Sequence, residues 1–149
     1  MSNIIFPWWN TTITIFNKYE DTQTRIITWY KTVVKNCFWK VSGNIVYLND
    51  SKLDTDTLTV RIPKDDRFLD KYLWIDIPST EKAQHFTLST GDIIVKGTVQ
   101  DEINEYTSGH RSSDFLQKYK DLQGCMIVNT FSDYSGIGRG QPHYLVYGK

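Results

Sequence analysis

Runs in which polar and apolar residues alternate recur along most of this 149-residue chain. The clearest are residues 11–16 (TTITIF) and 58–62 (LTVRI), both rich in β-branched side chains. Successive side chains of a β-strand point to opposite faces of a sheet, so alternation is typical of strands with one buried face. Further runs of this kind occupy residues 25–34, 36–41, 45–48, 91–97, 125–131 and 143–147. The pattern predicts an all-β fold, a small β-barrel or sandwich of about eight or nine strands.

One segment has helical character. Residues 112–120 (SSDFLQKYK) begin with a serine that can cap a helix, carry an aspartate in the first turn and end in lysines. In a helix, Phe115, Leu116 and Tyr119 would form the buried face. The sequence therefore predicts one short helix in a single β-barrel-like domain that spans residues 1–149.

The remaining segments are expected to connect the strands. The Ser-Gly-Asn tripeptide at residues 42–44 predicts a hairpin turn. Residues 73–77 predict a short edge strand, because Pro78 follows and cannot donate to a central ladder. Loops or irregular turns are expected at residues 17–24, 49–56 and 64–72.

The balance of charge limits the classes of partner. The chain has 17 basic and 17 acidic side chains, so no long-range field attracts nucleic acid or an anionic membrane. This balance excludes DNA as the main source of binding energy but not transient contact with it. The first ten residues lack the basic start of a signal peptide. Cys37 and Cys125 are expected to be buried free thiols in a reducing cytoplasm.

No motif of a catalytic or metal site is present in the sequence. The three histidines, His85, His110 and His143, lack metal-ligand spacing, and no GxSxG nucleophile motif occurs. We therefore expect a protein that is not an enzyme and that needs neither a metal nor a cofactor.

A glycine-rich loop lies between the last two predicted strands. It contains Gly136, Gly138, Arg139 and Gly140, but it lacks the phosphate-binding GxxxxGK[ST] pattern. A hairpin tip that uses the positive φ values open to glycine is the favoured interpretation.

Two further segments are candidates for contacts with partners. Phe6, Trp8 and Trp9 form an apolar cluster that either packs back on the core or acts as a docking arm over residues 1–10. The second segment, residues 100–112, is polar and has only Ile103 and Tyr106 as large apolar groups. It is expected to be a solvated loop or a mobile arm that contacts a neighbouring copy. Its charged residues change sign along the chain: Asp101, Glu102, Glu105, His110 and Arg111.

Several sequence segments, taken in order, resemble small proteins from phage and prophage structural gene clusters. The most specific is residues 138–149 (GRGQPHYLVYGK). The others are residues 13–19, residues 31–36 with Trp39, and residues 60–63, 89–97 and 114–119. The chain thus resembles the head-closure, or stopper, proteins of the head–tail junction.

This resemblance implies a structural protein of the virion neck. It would form a homo-oligomeric ring between the portal or adaptor ring and the tail terminator or tail tube. A long loop of such a protein faces the DNA channel, and residues 100–112 are the expected loop here. Its acidic residues would repel passing double-stranded DNA, while His110 and Arg111 could pair with acids on a neighbouring copy. Assembly would take place in the bacterial cytoplasm.

Two alternatives remain open from the sequence. Within the same class, the chain could be a tail-completion or tail-terminator protein. From another class, an OB-like barrel could bind single-stranded nucleic acid or carbohydrate through residues such as Trp29 and Trp39. A basic groove would favour nucleic acid, whereas stacked solvent-facing tryptophans would favour sugar.

Overall fold

The computed structural model describes residues 7–42, 45–48, 51–54, 57–122, 124–136 and 141–149. In these ranges, six strands close into a barrel and two more form a separate sheet. The strands are β1 (Thr11–Glu20), β2 (Ile27–Ser42), β3 (Ile45–Leu48), β4 (Ser51–Asp54), β5 (Thr57–Pro63), β6 (Ile93–Lys96), β7 (Cys125–Tyr134) and β8 (His143–Gly148). The helices are α1 (Lys71–Trp74), α2 (Ser79–Lys82) and α3 (Ser112–Leu122).

Every strand of the barrel is antiparallel to both of its neighbours. The order around the barrel is β1-β2-β5-β8-β7-β6, and β6 pairs again with β1. Closure leaves the barrel itself without an edge strand, which removes a route to edge-to-edge aggregation. The mostly-β class is confirmed, and the architecture is a barrel rather than a sandwich.

Two bulged strands turn the corners of the barrel. On β2, Lys35 and Asn36 together lie opposite one residue of β1, because Val34 pairs with Ile13 and Cys37 with Thr11. Asn36 has a left-handed backbone with φ of 62°, which asparagine tolerates better than most residues. The register of β7 against β8 also shifts, between residues 128 and 130. Bulges bend a strand, so β2 and β7 pass from one half of the barrel to the other.

Apolar side chains fill the barrel. Alternation along β1 directs Ile13 and Ile15 inward, where both are fully buried. The segment after α2 contributes Phe86 and Leu88 to the same cluster. The other buried members are Val34, Cys37, Val60, Ile62, Ile94, Met126, Val128, Tyr144 and Val146. The interior is therefore a packed core, as in other small barrels.

A second apolar layer lies between the barrel wall and α3. Phe16 on β1 meets Phe115 edge-on, with ring centroids 4.8 Å apart, and Tyr119 lies beside Phe115 at 4.5 Å. Leu116 is partly buried against the same cluster. The predicted helix and its predicted buried face are both confirmed, but the expectation of a single helix is wrong, because α1 and α2 are helical as well.

The expected edge strand at residues 73–77 is wrong. The chain instead forms α1, in which the N–H of Trp74 donates to the carbonyl of Asp70 at 2.9 Å, and then α2 directly after Pro78. Trp74 is fully buried, and its ring lies between Tyr19 at 6.1 Å and Tyr30 at 5.6 Å. Burial of this large ring outweighs the strand-like alternation of the local sequence.

Strand β1 is longer than predicted and includes part of the segment expected to be a loop. Buried Asn17 donates through Nδ2 to Asp92 Oδ2 at 2.9 Å, and the N–H of Lys18 donates to Asp92 Oδ1 at 3.0 Å. The N–H of Ser89 donates to Asp92 Oδ2 at 3.0 Å. Burial raises the pKa of Asp92 above its usual value. These polar contacts hold the end of β1 to a segment more than seventy residues away.

The region between β2 and β5 also differs from expectation. Strand β2 is one continuous element of 16 residues, although two strands were predicted there. Residues 51–54, expected in a loop, form β4 and pair with β3. The predicted turn at residues 42–44 lies largely outside the described residues.

Candidate docking surfaces

The two tryptophans of the N-terminal cluster have different environments. Trp9 is only 6% exposed and packs against Phe38 at 6.4 Å and edge-on against His143 at 5.5 Å. Trp8 is 60% exposed. Phe6 lies outside the described residues. Trp9 therefore belongs to the folded domain, and the docking-arm hypothesis is wrong for its side chain, whereas Trp8 stays a candidate anchor.

His143 has a structural environment. Its Nδ1 donates to the carbonyl of Gln141 at 2.6 Å, because a carbonyl oxygen can only accept. Its Nε2 consequently accepts from Arg61 Nη1, at 3.0 Å. His85 likewise directs Nδ1 to the carbonyl of Arg67 at 3.1 Å. Across the described ranges, no group of three or more His, Cys, Asp or Glu residues could hold a metal ion.

Both cysteines are buried free thiols, as predicted from the sequence. Burial raises the pKa of Cys125 to about 12, and it raises that of Cys37 as well. Both thiols thus stay protonated at neutral pH.

The acidic start of segment 100–112 is bound to the domain. Asp101 Oδ2 accepts from Lys118 Nζ at 2.7 Å and from the hydroxyl of Tyr119 at 2.6 Å. These two hydrogen bonds hold the pKa of Asp101 below its usual value. Glu102 pairs with Lys31 at 2.7 Å.

Apolar and backbone contacts fix more of the same segment. Ile103 is buried in the layer under α3, and the N–H of Ile27 donates to the hydroxyl oxygen of Tyr106 at 2.8 Å. Glu105 accepts from the N–H of Ser112 at 2.6 Å. The expectation that this segment lacks anchors is therefore wrong, because one buried isoleucine and several polar contacts attach it.

The two basic residues of the segment lie at its exposed end. His110 and Arg111 are exposed, and the N–H of Arg111 donates to Asp114 Oδ2 at 3.3 Å. The N–H of Asn104 donates to the carbonyl of His110 at 2.8 Å, so residues 105–109 form a closed loop. Within this loop, Glu105 and Tyr106 contact the rest of the domain, and residues 107–109 are exposed.

The glycine-rich connection joins paired strands. Tyr134 of β7 lies opposite His143 of β8, so the predicted hairpin is present. Gly136 does not have the positive φ that was expected of the tip, and nothing lies within 4 Å of an added Cβ. Gly138, Arg139 and Gly140 lie outside the described residues.

An exposed apolar patch that no sequence pattern predicted lies on α1 and on the residue that follows it. Tyr72, Leu73 and Ile75 are 66%, 46% and 40% exposed, although Trp74 between them is fully buried. A strand at residues 73–77 would instead have directed successive side chains to opposite faces. We call these three residues the α1 patch.

A buried lysine fixes the position of the α1 patch. Lys82 is 4% exposed, and its Nζ donates to the carbonyl oxygens of Ile75, at 3.1 Å, and Ile77. The ammonium lies 4.5 Å from the ring centroid of Tyr19, which is a cation–π contact. Burial lowers the pKa of Lys82 from its usual value. The patch thus stands on an element tied to the barrel, although no sequence signal identified Lys82.

Most of the tryptophans are not available for stacking with a ligand. Trp9, Trp29 and Trp74 are buried, and Trp39 is partly buried against the barrel core. The neighbours Trp39 and Lys40 therefore lie on opposite faces of β2, with Trp39 against the core and Lys40 exposed. Trp8 is the exposed tryptophan.

Comparison with known proteins gives one match. Residues 8–149 match the model of a family described as a family of unknown function, DUF6751. No curated protein and no solved structure matches the chain. Within the described ranges, no helix is long and apolar enough to cross a membrane.

Proposed function

The chain belongs to the DUF6751 family, and we propose that it is a structural protein of the bacteriophage neck. In this proposal it is a non-enzymatic virion protein that forms a head-closure ring between the portal or adaptor ring and the tail. The resemblance of its sequence to head-closure proteins supports this role. The closed barrel also agrees with it, because head-closure proteins are typically small β-barrels, whereas adaptors are typically helical.

The α1 patch is the observation that carries the proposal. Three large apolar side chains are exposed within four consecutive residues, and contiguous exposed apolar surface is typical of protein–protein contact sites. Tyrosine is among the residues that contribute most to interface energy. The contacts of Lys82 with the carbonyl of Ile75 and the ring of Tyr19 hold this surface in place before any partner binds. Such preorganisation lowers the entropic cost of docking.

The second element of the proposal is the channel loop. Opening the base of segment 100–112 would break the ion pairs of Asp101 and Glu102, each worth about 0–1 kcal/mol at the surface. It would also expose Ile103, which costs about 1.5–3 kcal/mol. Movement is therefore expected in the exposed residues 107–109, with the base and the contacts of Glu105 and Tyr106 remaining fixed.

Co-purification tests the docking role of the α1 patch. The chain is co-expressed with the portal and adaptor proteins of its own gene cluster, as wild type and as the Tyr72→Ser/Leu73→Ser variant. A matched control, Val41→Ser/Tyr147→Ser, removes two exposed apolar side chains from strands. We expect the wild type and the control to co-purify with the portal–adaptor complex and the α1 variant to be lost. Failure of the wild type to bind, together with firm binding to an isolated tail tube, would favour a tail-completion role.

A short deletion tests the channel loop. Asn104 and His110 are already joined by a backbone hydrogen bond, so residues 105–109 can be replaced by two glycines without stretching the chain. Particles that assemble but lose DNA before tail joining would support a role of this loop in retaining DNA in the channel. Fully infectious particles that retain DNA would contradict it.

A further inference from the structure

The bulge of β2 forms one wall of an open cleft. The wall consists of Val33, Val34, Lys35 and Asn36, and the opposite wall is the end of β5 and the residues after it. The ladder between β2 and β5 begins only at Phe38, so the two elements diverge beyond that residue. The cleft has a volume of about 390 Å³, within the range of ligand sites. In that opposite wall, Pro63 is the last residue of β5, and Lys64, Asp65 and Arg67 follow it.

The cleft has an excess of positive charge. Arg67 binds Asp65 through Nε at 3.0 Å and Nη2 at 2.8 Å, so these two charges neutralise each other. Lys35 and Lys64 are both exposed, and neither amine has an ion-pair or hydrogen-bond partner in the part of the chain that the structure describes. Three cations against one carboxylate leave two positive charges in excess among the lining residues.

Hydrogen bonds fix the backbone of the two walls of the cleft. Arg67 Nη1 donates to the carbonyl of Val33 at 3.2 Å, which links the walls beneath the lysines. The N–H of Lys64 donates to the carbonyl of Pro142 at 3.0 Å and fixes the backbone there. The backbone of both walls is thus held by hydrogen bonds, and the exposed side chains of Lys35 and Lys64 extend from it.

We propose that this cleft binds an acidic peptide segment of a partner protein, with carboxylates between Lys35 and Lys64. Single-stranded nucleic acid fits less well, because it needs aromatic platforms for its bases and no aromatic side chain lines the cleft. Duplex DNA needs many phosphate contacts, whereas this cleft offers two unpaired lysines. Half-buried Val33 offers an apolar surface for the methylene groups of acidic side chains. This site is independent of the neck proposal, since it depends only on the bulge and the two lysines.

Titration of the isotope-labelled protein with a tetraglutamate peptide, followed by amide NMR shifts at low salt, tests the site. The peptide should shift the amides of Lys35, Asn36 and Lys64 in a saturable way. The Lys35→Gln/Lys64→Gln variant should bind about fivefold to thirtyfold more weakly, as expected from losing two ion pairs. The control Lys40→Gln/Lys120→Gln removes the same charge from exposed positions outside the cleft and should bind within twofold of the wild type.

Several results would overturn the proposal. One is equal loss of binding in the two double variants, since the attraction would then be a general effect of charge. Another is unchanged binding in the Lys35→Gln/Lys64→Gln variant. Stronger binding of a thymidine oligonucleotide of equal charge through the same amides would assign the cleft to nucleic acid. Equally tight binding of inorganic phosphate would reduce it to a site for small anions.

Discussion

Replacing Trp9 and Trp8 separately by alanine should have very different effects on stability. Trp9 is 6% exposed and contacts the rings of Phe38 and His143, whereas Trp8 is 60% exposed. Removal of a buried tryptophan costs about 3–5 kcal/mol. We expect about 3 kcal/mol, the lower end of that range, for Trp9→Ala. An exposed substitution stays within about 0.5 kcal/mol, which is the expectation for Trp8→Ala.

Urea unfolding followed by circular dichroism measures both free energies of unfolding. A loss of about 3 kcal/mol corresponds to a fall in Tm of roughly 6–12 °C for a domain of this size. The double variant should match Trp9→Ala. A loss below about 1 kcal/mol for Trp9→Ala, or equal losses for the two single variants, would refute the assignment of Trp9 to the folded domain.

Three further predictions concern the isolated protein. Asp92→Asn should lower the free energy of unfolding in urea by about 1–3 kcal/mol, because an amide NH₂ would face the donors of Asn17, Lys18 or Ser89. An unchanged unfolding midpoint would contradict this. The pKa of Asp101 is lowered, so its contribution to stability is present above pH 4 and is lost as the pH falls below that value. As the pH falls, the protection of amides in residues 101–112 against hydrogen exchange, corrected for the intrinsic rate at each pH, should therefore decrease before that of the barrel. The decrease should be no more than about 1 kcal/mol because the pair is partly exposed, and simultaneous loss of protection would contradict it. Purified alone, the protein should have the monomer mass of 17.4 kDa in light scattering and assemble only on a ring partner, where weak contacts add by avidity; a stable ring without partner would contradict this.

Local sequence patterns predicted the elements whose burial follows a simple period. Strand β5 alternates as its sequence does, and α3 buries Phe115 and Tyr119 on the face that the helical period indicates. In these elements the residues that decide the structure lie within one turn or one strand of each other, so the local pattern contains the necessary information.

The failures occur where distant residues decide the structure. Residues 73–77 alternate like a strand, but Trp74 is buried against Tyr19 and Tyr30, and Lys82 caps the turn. Strand β1 continues through Asn17 because of Asp92, which lies 75 residues away. No local pattern contains such contacts.

The candidate sites show the same limit. Adjacent tryptophans in the N-terminal cluster look equivalent in sequence, yet Trp9 is covered by a strand more than a hundred residues further along the chain. The α1 patch depends on a helix that was not predicted. The cleft depends on the bulge at Asn36, where only the tolerance of asparagine for a positive φ gives a weak local signal.

A density map of the intact phage particle that encodes this chain tests the central proposal most directly. We expect a ring of six-stranded barrels between the portal or adaptor ring and the tail, with the α1 patch buried against a neighbouring protein. Segment 100–112 should face the channel. A neck whose density is fully explained by other proteins, or a copy of this barrel found only at the tail, would contradict it.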